Sequence, residues 1–253
     1  MLSPTLTRAA LAASCALGLA PFAAHAQQNA LSDIPCPAST VTIAVMGDSL
    51  ADGIWGAFFR AFSPCDTVEV LRLTSLSDGL ARSDPSAWLG RLKGIEPDLT
   101  LISIGANDLV NMRSNRVRFI YGQSDWAVEY KARATTLAAG LKSASSSVIW
   151  LGLPVVGRAD FEDSYRQITE LHAAAAMAED LAFVDTHAPT MFGQGAFVMN
   201  AKIDGTLRQM RHTDQVHFTA AGYDMVAGLT GSAVADLFDN TNREASLGAL
   251  ELQ

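Results

Sequence analysis

Three side chains in this sequence could share one proton-transfer chemistry: a serine near the start, and an aspartate and a histidine near the end. Ser49 lies in Val41-Thr-Ile-Ala-Val-Met-Gly-Asp-Ser-Leu-Ala-Asp-Gly53. The first residues of that stretch are apolar and β-branched, the composition of a buried strand. The run breaks at Gly47, and helix-compatible sequence follows over about 54–62. A strand, a tight turn and a helix would set the hydroxyl at the carboxyl edge of a sheet, where open α/β folds bind ligands. Asp214-Gln-Val-His217 supplies the other two groups. A serine hydroxyl is a poor nucleophile until a base takes its proton. An imidazole suits that task near neutral pH, and a carboxylate can orient it and stabilise its cation. Two plainer readings stand beside this one. Asp48-Ser49 could simply cap a helix, and His217 could be a helix-start histidine packed on the sheet. The G-x-S-x-G nucleophile elbow of the α/β-hydrolases is absent.

Elements that could position these groups alternate along the chain. Strands are expected at 41–46, 66–73, 98–104, 148–153 and 182–185. Helices are expected at 54–62, 85–92, 126–143, 160–180 and 220–238, with Asp84-Pro85 and Thr219 as good helix starts. Residues 111–123 are polar and Arg-rich and read as a loop over the carboxyl edge. Residues 186–216 read as a long irregular excursion, of the sort that is often functional. Residues 240–253 read as a loosely ordered tail. This order predicts a flavodoxin-like three-layer α/β/α sandwich with a parallel five-stranded sheet. No G-x-G-x-x-G follows a strand, which argues against a dinucleotide site.

Composition narrows the setting. One α/β domain accommodates 253 residues, 49% of them hydrophobic. The formal net charge of -8 argues against a nucleic-acid partner, since phosphate binding wants a basic face. Residues 1–26 carry one charged residue, Arg8, then an Ala/Leu-rich run ending Ala24-His25-Ala26. That pattern reads as a secretory signal peptide cleaved before Gln27, with a lipoprotein signal at Cys15, poorly matched by Ala12-Ala13-Ser14, as the alternative, and the run is too short and Ala-rich for a membrane span. Cleavage would remove Arg8 and Cys15, leaving residues 27–253 as a single domain with a core over about 41–238 and no integral membrane segment. The expected location is periplasmic or secreted. Cys36 and Cys65 then remain, a plausible disulfide in an exported chain, with two unpaired thiols as the alternative. No Cys/His spacing of the metal-binding kind occurs.

Four turn segments now gain meaning together. Gly47-Asp-Ser-Leu50, the glycine segment at Gly79, Gly105-Ala-Asn-Asp108 and Asp214-Gln-Val-His217 resemble blocks one, two, three and five of the SGNH, or GDSL, hydrolases, in family order. The resemblance spans about 41–237 and is nearest to an exported bacterial subgroup. Gln215 departs from it, since many of those relatives carry glycine there. The resemblance implies a carboxylic ester hydrolase working through an acyl-enzyme, with Ser49, Asp214 and His217 as triad and neither metal nor cofactor. It also implies an oxyanion hole made by the Ser49 N–H, the Gly79 N–H and the Asn107 amide. A small-molecule or glycan ester, short-chain acyl or acetyl, is the expected substrate, and a monomer the expected state. Acyl transfer to a cell-envelope glycan, lipase, lysophospholipase or thioesterase action, and a non-catalytic envelope-binding domain are the alternatives. Among other polar groups, Asp48 and Asp108 are expected to secure their own turns. His172 is expected to be structural, His187 and His212 to lack partners, and Arg211 to be solvated. Trp55, Phe58 and Phe59 are expected in the core.

Overall fold

The computed structural model describes residues 30–251. The signal-peptide reading of residues 1–26 therefore lies outside the described residues. Five parallel strands form the central sheet: β1 (Val41–Gly47), β2 (Val68–Thr74), β3 (Leu99–Ser103), and, after two short strands, β6 (Ser147–Leu151) and β7 (Ala182–Val184). The short pair is β4 (Met112–Ser114) with β5 (Val117–Phe119), and a second pair is β8 (Asn200–Ile203) with β9 (Thr206–Gln209). The sheet order is β2-β1-β3-β6-β7, the doubly wound flavodoxin-like arrangement. Helices α1 (Ser49–Phe62), α2 (Pro85–Leu89), α3 (Ser124–Ala144), α4 (Ala159–Ala178), α5 (Ala220–Gly228) and α6 (Gly231–Glu251) cover it. α1 packs with α5, and Phe62 meets Phe238 of α6 at 5.3 Å between ring centroids. α3 packs between α2 and α4.

β1 and β3 are the central strands and their side chains are almost wholly buried. Their near-continuous apolar sequence follows from helices lying on both sides of the sheet. Gly47 stands in register with Thr74 of β2 and Ser103 of β3, so three strand ends share one edge. The winding reverses between β1 and β3, which opens the crevice where doubly wound folds place ligands. Cys36, before β1, is joined to Cys65, after α1, with Cα atoms 5.5 Å apart. Among the described residues no helix is long and apolar enough to cross a membrane.

Several local expectations need correction. Residues 111–123 are not a plain loop: β4 and β5 form a hairpin whose turn, Asn115-Arg116, takes left-handed φ of 49° and 69°. No glycine announces that turn, so composition hides it. The 186–216 excursion holds the β8–β9 hairpin around Asp204-Gly205, a dipeptide that is a strong hairpin signal. The last helix is two helices, broken after Gly228, and the expected loose tail is helical to Glu251. Asn242 of that helix accepts from the Ala38 N–H at 2.6 Å, tying α6 to the N-terminal arm. Phe58 is buried, but Phe59 is 51% exposed, one helical step off the inward stripe.

Candidate active site

Ser49 is the first residue of α1, and the backbone around it leaves little choice of residue. Gly47 has φ of 136°, and a Cβ there would lie 1.7 Å from the Ser103 carbonyl oxygen. Only glycine lets β1 run that close to β3 while turning into the helix. Asp48 caps α1 through the Leu50 N–H (2.9 Å) and reaches across to the Ala106 N–H (2.9 Å). One buried carboxylate thus fixes the serine turn to the loop carrying Asn107. Burial pushes that carboxyl up to about 7, opposed by the N–H groups of Leu50 and Ala106. The N–H of a first helical residue such as Ser49 has no acceptor within its own helix, and the helix dipole adds positive potential there.

His217 comes from a closed loop before α5. Arg211 and Phe218 pair as an antiparallel bridge, and the His212 N–H donates to the His217 carbonyl at 2.9 Å. Within the loop Asp214 Oδ1 accepts the Val216 and His217 N–H groups at 2.9 and 3.0 Å, an Asx-type turn. Asp214 Oδ2 lies 2.7 Å from His217 Nδ1, and His217 Nε2 lies 2.7 Å from Ser49 Oγ. Partial burial would raise the Asp214 carboxyl, but the bonds from Val216 and His217 outweigh it and hold it near 2. Gln215, the departure from the family pattern, sits at φ of 63°. The loop therefore keeps the left-handed turn that glycine would take more easily.

The two halves of this site meet through a contact between α1 and α5. A Cβ on Gly53 of α1 would fall 2.0 Å from the ring of Tyr223 in α5. The missing side chain lets the start of α5 close on the start of α1, and the Tyr223 hydroxyl reaches the Ser49 carbonyl at 3.5 Å. Arg211 also does a job that its polarity concealed. Expected in solvent, it is fully buried, with its guanidinium 3.5 Å over the Phe218 ring. It donates to the Val216 carbonyl (2.8 Å) and the Val155 carbonyl (2.6 Å), clamping the histidine loop to the loop after β6. Burial brings its pKa down to about 9.

Gly79 and Asn107 lie on the loops after β2 and β3. The Asn107 amide donates to the Asp78 carbonyl at 3.1 Å, and the Gly79 N–H donates to Asp78 Oδ1 at 2.8 Å. The space a Gly79 side chain would need is filled by Asp108, whose Oδ1 would lie 2.0 Å from a Cβ there. Asp108 was expected to secure its own turn. Instead it accepts the Leu80 N–H (3.0 Å), the Ala81 N–H (2.9 Å) and the Tyr130 hydroxyl (2.7 Å), locking the Gly79 loop to the Asn107 loop. Burial raises its carboxyl to about 6 against those donors, of which Tyr130 acts most strongly. Since the Tyr130 proton goes to Asp108, its oxygen accepts from His172 Nε2 at 3.0 Å, leaving Nδ1 without a partner. His172 is fully buried, and burial lowers its pKa to about 3. His187, expected to be alone, faces Glu162 of α4 through Nε2, while the other Glu162 oxygen accepts the Val156 N–H at 3.1 Å. The partner lies in another element, beyond the reach of sequence spacing. His212 is exposed.

Comparison with known proteins places the chain. The model of a family described as "Protein of unknown function (DUF459)" matches residues 42–231. No curated protein matches the sequence. Among solved structures, a lipase/acylhydrolase from Enterococcus faecalis superposes with a TM-score of 0.55 at 16% identity, covering 78% of this chain and 96% of that one. LAE5, an alpha/beta hydrolase enzyme from the metagenome of Lake Arreo, Spain, gives 0.55 at 15%, over 79% and 97%. Axe2, an acetylxylan esterase from Geobacillus stearothermophilus, gives 0.52 at 16%, over 76% and 92%. At such identities the likeness concerns the fold. The chain belongs to the DUF459 family and is built on the fold of the SGNH-type hydrolases.

Proposed function

We propose that this protein is an exported serine esterase that cleaves short-chain carboxylic esters through Ser49, His217 and Asp214. One observation carries the proposal: Ser49 Oγ and Asp214 Oδ2 each stand 2.7 Å from a different nitrogen of the same imidazole. The Asp214 contact favours the tautomer with the proton on Nδ1, leaving Nε2 free to accept from Ser49. In the reaction Nε2 takes the Ser49 proton as Oγ bonds to the ester carbonyl carbon. The tetrahedral intermediate collapses, the C–O bond to the alcohol breaks, and the imidazolium proton passes to the leaving oxygen. Water, deprotonated by the same nitrogen, then attacks the acyl-enzyme and releases the acid and Ser49. The Asp214 carboxylate, held low, stays ionised throughout and balances the imidazolium charge.

The developing oxyanion is met by the Ser49 N–H, the Gly79 N–H and the second hydrogen of the Asn107 amide. In this reading Gly79 exchanges its bond to Asp78 for the substrate oxygen. Export is supported by the Cys36–Cys65 bridge, a feature of oxidising compartments, together with the signal pattern of residues 1–26. A short acyl group on a carbohydrate is supported by the likeness of fold to an acetylxylan esterase. Turnover of p-nitrophenyl acetate tests the reading. Ser49→Ala is expected to lose at least about 10³-fold in kcat while its circular dichroism is unchanged. Wild-type-like turnover in that variant would remove the proposed nucleophile.

A further inference from the structure

The β4–β5 hairpin begins soon after Asn107 and is firmly mounted. Met112 is buried, the Trp126 indole N–H donates to the Val110 carbonyl at 2.8 Å, and Asn111 Oδ1 accepts the Tyr121 N–H at 2.8 Å. Arg133 joins it to the Gly79 side of the crevice, donating to the Arg113 carbonyl (2.5 Å) and to the Leu80 carbonyl (2.9 Å). Its register sets Met112 opposite Phe119 and Arg113 opposite Arg118. Side chains alternate between faces along a strand, so the Met112/Phe119 face turns to the protein and the Arg113/Arg118 face turns outward. Like charges directly opposite one another destabilise a strand pair. Arg116 adds a third cation from a left-handed turn position that favours glycine. All three arginines are exposed, and among the described residues none meets a carboxylate within ion-pair distance. Residues 109–124 contain no acidic residue at all, in a chain of net charge -8.

Two costs to the hairpin's own stability, an opposed arginine pair and an arginine in a glycine-type turn, are explained by an anionic ligand that neutralises the face. Resting on the esterase reading above, we propose that this face docks an acidic polysaccharide, whose carboxylates the guanidinium groups grip while an O-acyl ester on the same chain reaches Ser49. Planar guanidinium forks match carboxylates in two-bond geometry, and here every cation is arginine and none is lysine. The surrounding negative charge repels the polymer elsewhere, which orients it over the crevice. A lipid surface fits less well, because the large apolar side chains open to solvent on and beside the hairpin are Val117 and Ile120, 52% and 37% exposed, too few to anchor it in a bilayer.

Binding and turnover test this separately. Wild-type protein titrated with fluorescein-labelled polygalacturonate lacking esters is expected to bind, more weakly as salt rises from about 50 to about 200 mM. The double variant Arg113→Gln/Arg118→Gln is expected to bind roughly tenfold more weakly. On acetylated polygalacturonate it is expected to lose a similar factor in kcat/KM through KM, while p-nitrophenyl acetate turnover stays within about twofold. Equal binding by the two proteins, or arginine-dependent binding to phosphatidylglycerol vesicles in place of the polymer, overturns the proposal. Arginine-dependent binding without any ester turnover supports the docking face and counts against the esterase reading alone.

Discussion

At the residue level, the candidate triad sits on buried polar side chains whose ionisation is set by burial. His172 shows the consequence most cleanly. Its folded pKa near 3 lies below the ordinary histidine value of 6.5, so the folded protein keeps it neutral. Between pH 6.5 and 3 the unfolded chain binds the extra proton, and the His172 contribution to stability, full above 6.5, drains away as pH falls through 3. Asp48 and Asp108 act in the opposite sense: raised to about 7 and about 6, they contribute fully below 3.8 and lose that contribution as pH rises through those values. Comparing wild type with His172→Gln cancels the carboxylates. Urea unfolding should show wild type losing about 1.4 kcal/mol per pH unit relative to the variant across that window; parallel profiles would contradict a neutral, buried His172. Ser49, Asn107, Asp214 and His217 were legible in the sequence because their chemistry follows strand ends or a tight turn. Arg211 and the Glu162–His187 pair were not. Whether an arginine is buried, or which distant helix faces a histidine, depends on tertiary packing that no local pattern records.

At the element level, the site depends on how closely two helices begin. Gly53 is within α1, where alanine would normally be the better helix former by up to about 1 kcal/mol. Here the clash with Tyr223 reverses that preference. Gly53→Ala is expected to cost a net 1–3 kcal/mol or so in urea unfolding, as overpacking does, and to lower kcat on p-nitrophenyl acetate by widening the Ser49–His217 approach. A stabilised, fully active variant would show that the contact does not set the site. The strand order was readable because apolar runs alternated with helical sequence. Both hairpins escaped that reading: three- and four-residue strands give too short a period, and the Asn115-Arg116 turn lacks the expected glycine.

For the molecule as a whole, the Cys36–Cys65 bridge pins the N-terminal arm to the segment between α1 and β2 across a separation of 29 residues. Closing a loop of that size in the unfolded chain is worth about 3–4 kcal/mol in the chain-entropy model. Urea midpoints of oxidised wild type and Cys36→Ser/Cys65→Ser should differ accordingly; equal midpoints would mean that the bridge adds nothing to the fold. Everything functional rests on one meeting between the first helix and the loop before α5. A fluorophosphonate probe followed by intact-mass and peptide mapping tests that meeting most directly. A single adduct on Ser49, lost in His217→Ala, is the expected result; an unmodified protein, or a label on any other residue, would contradict it.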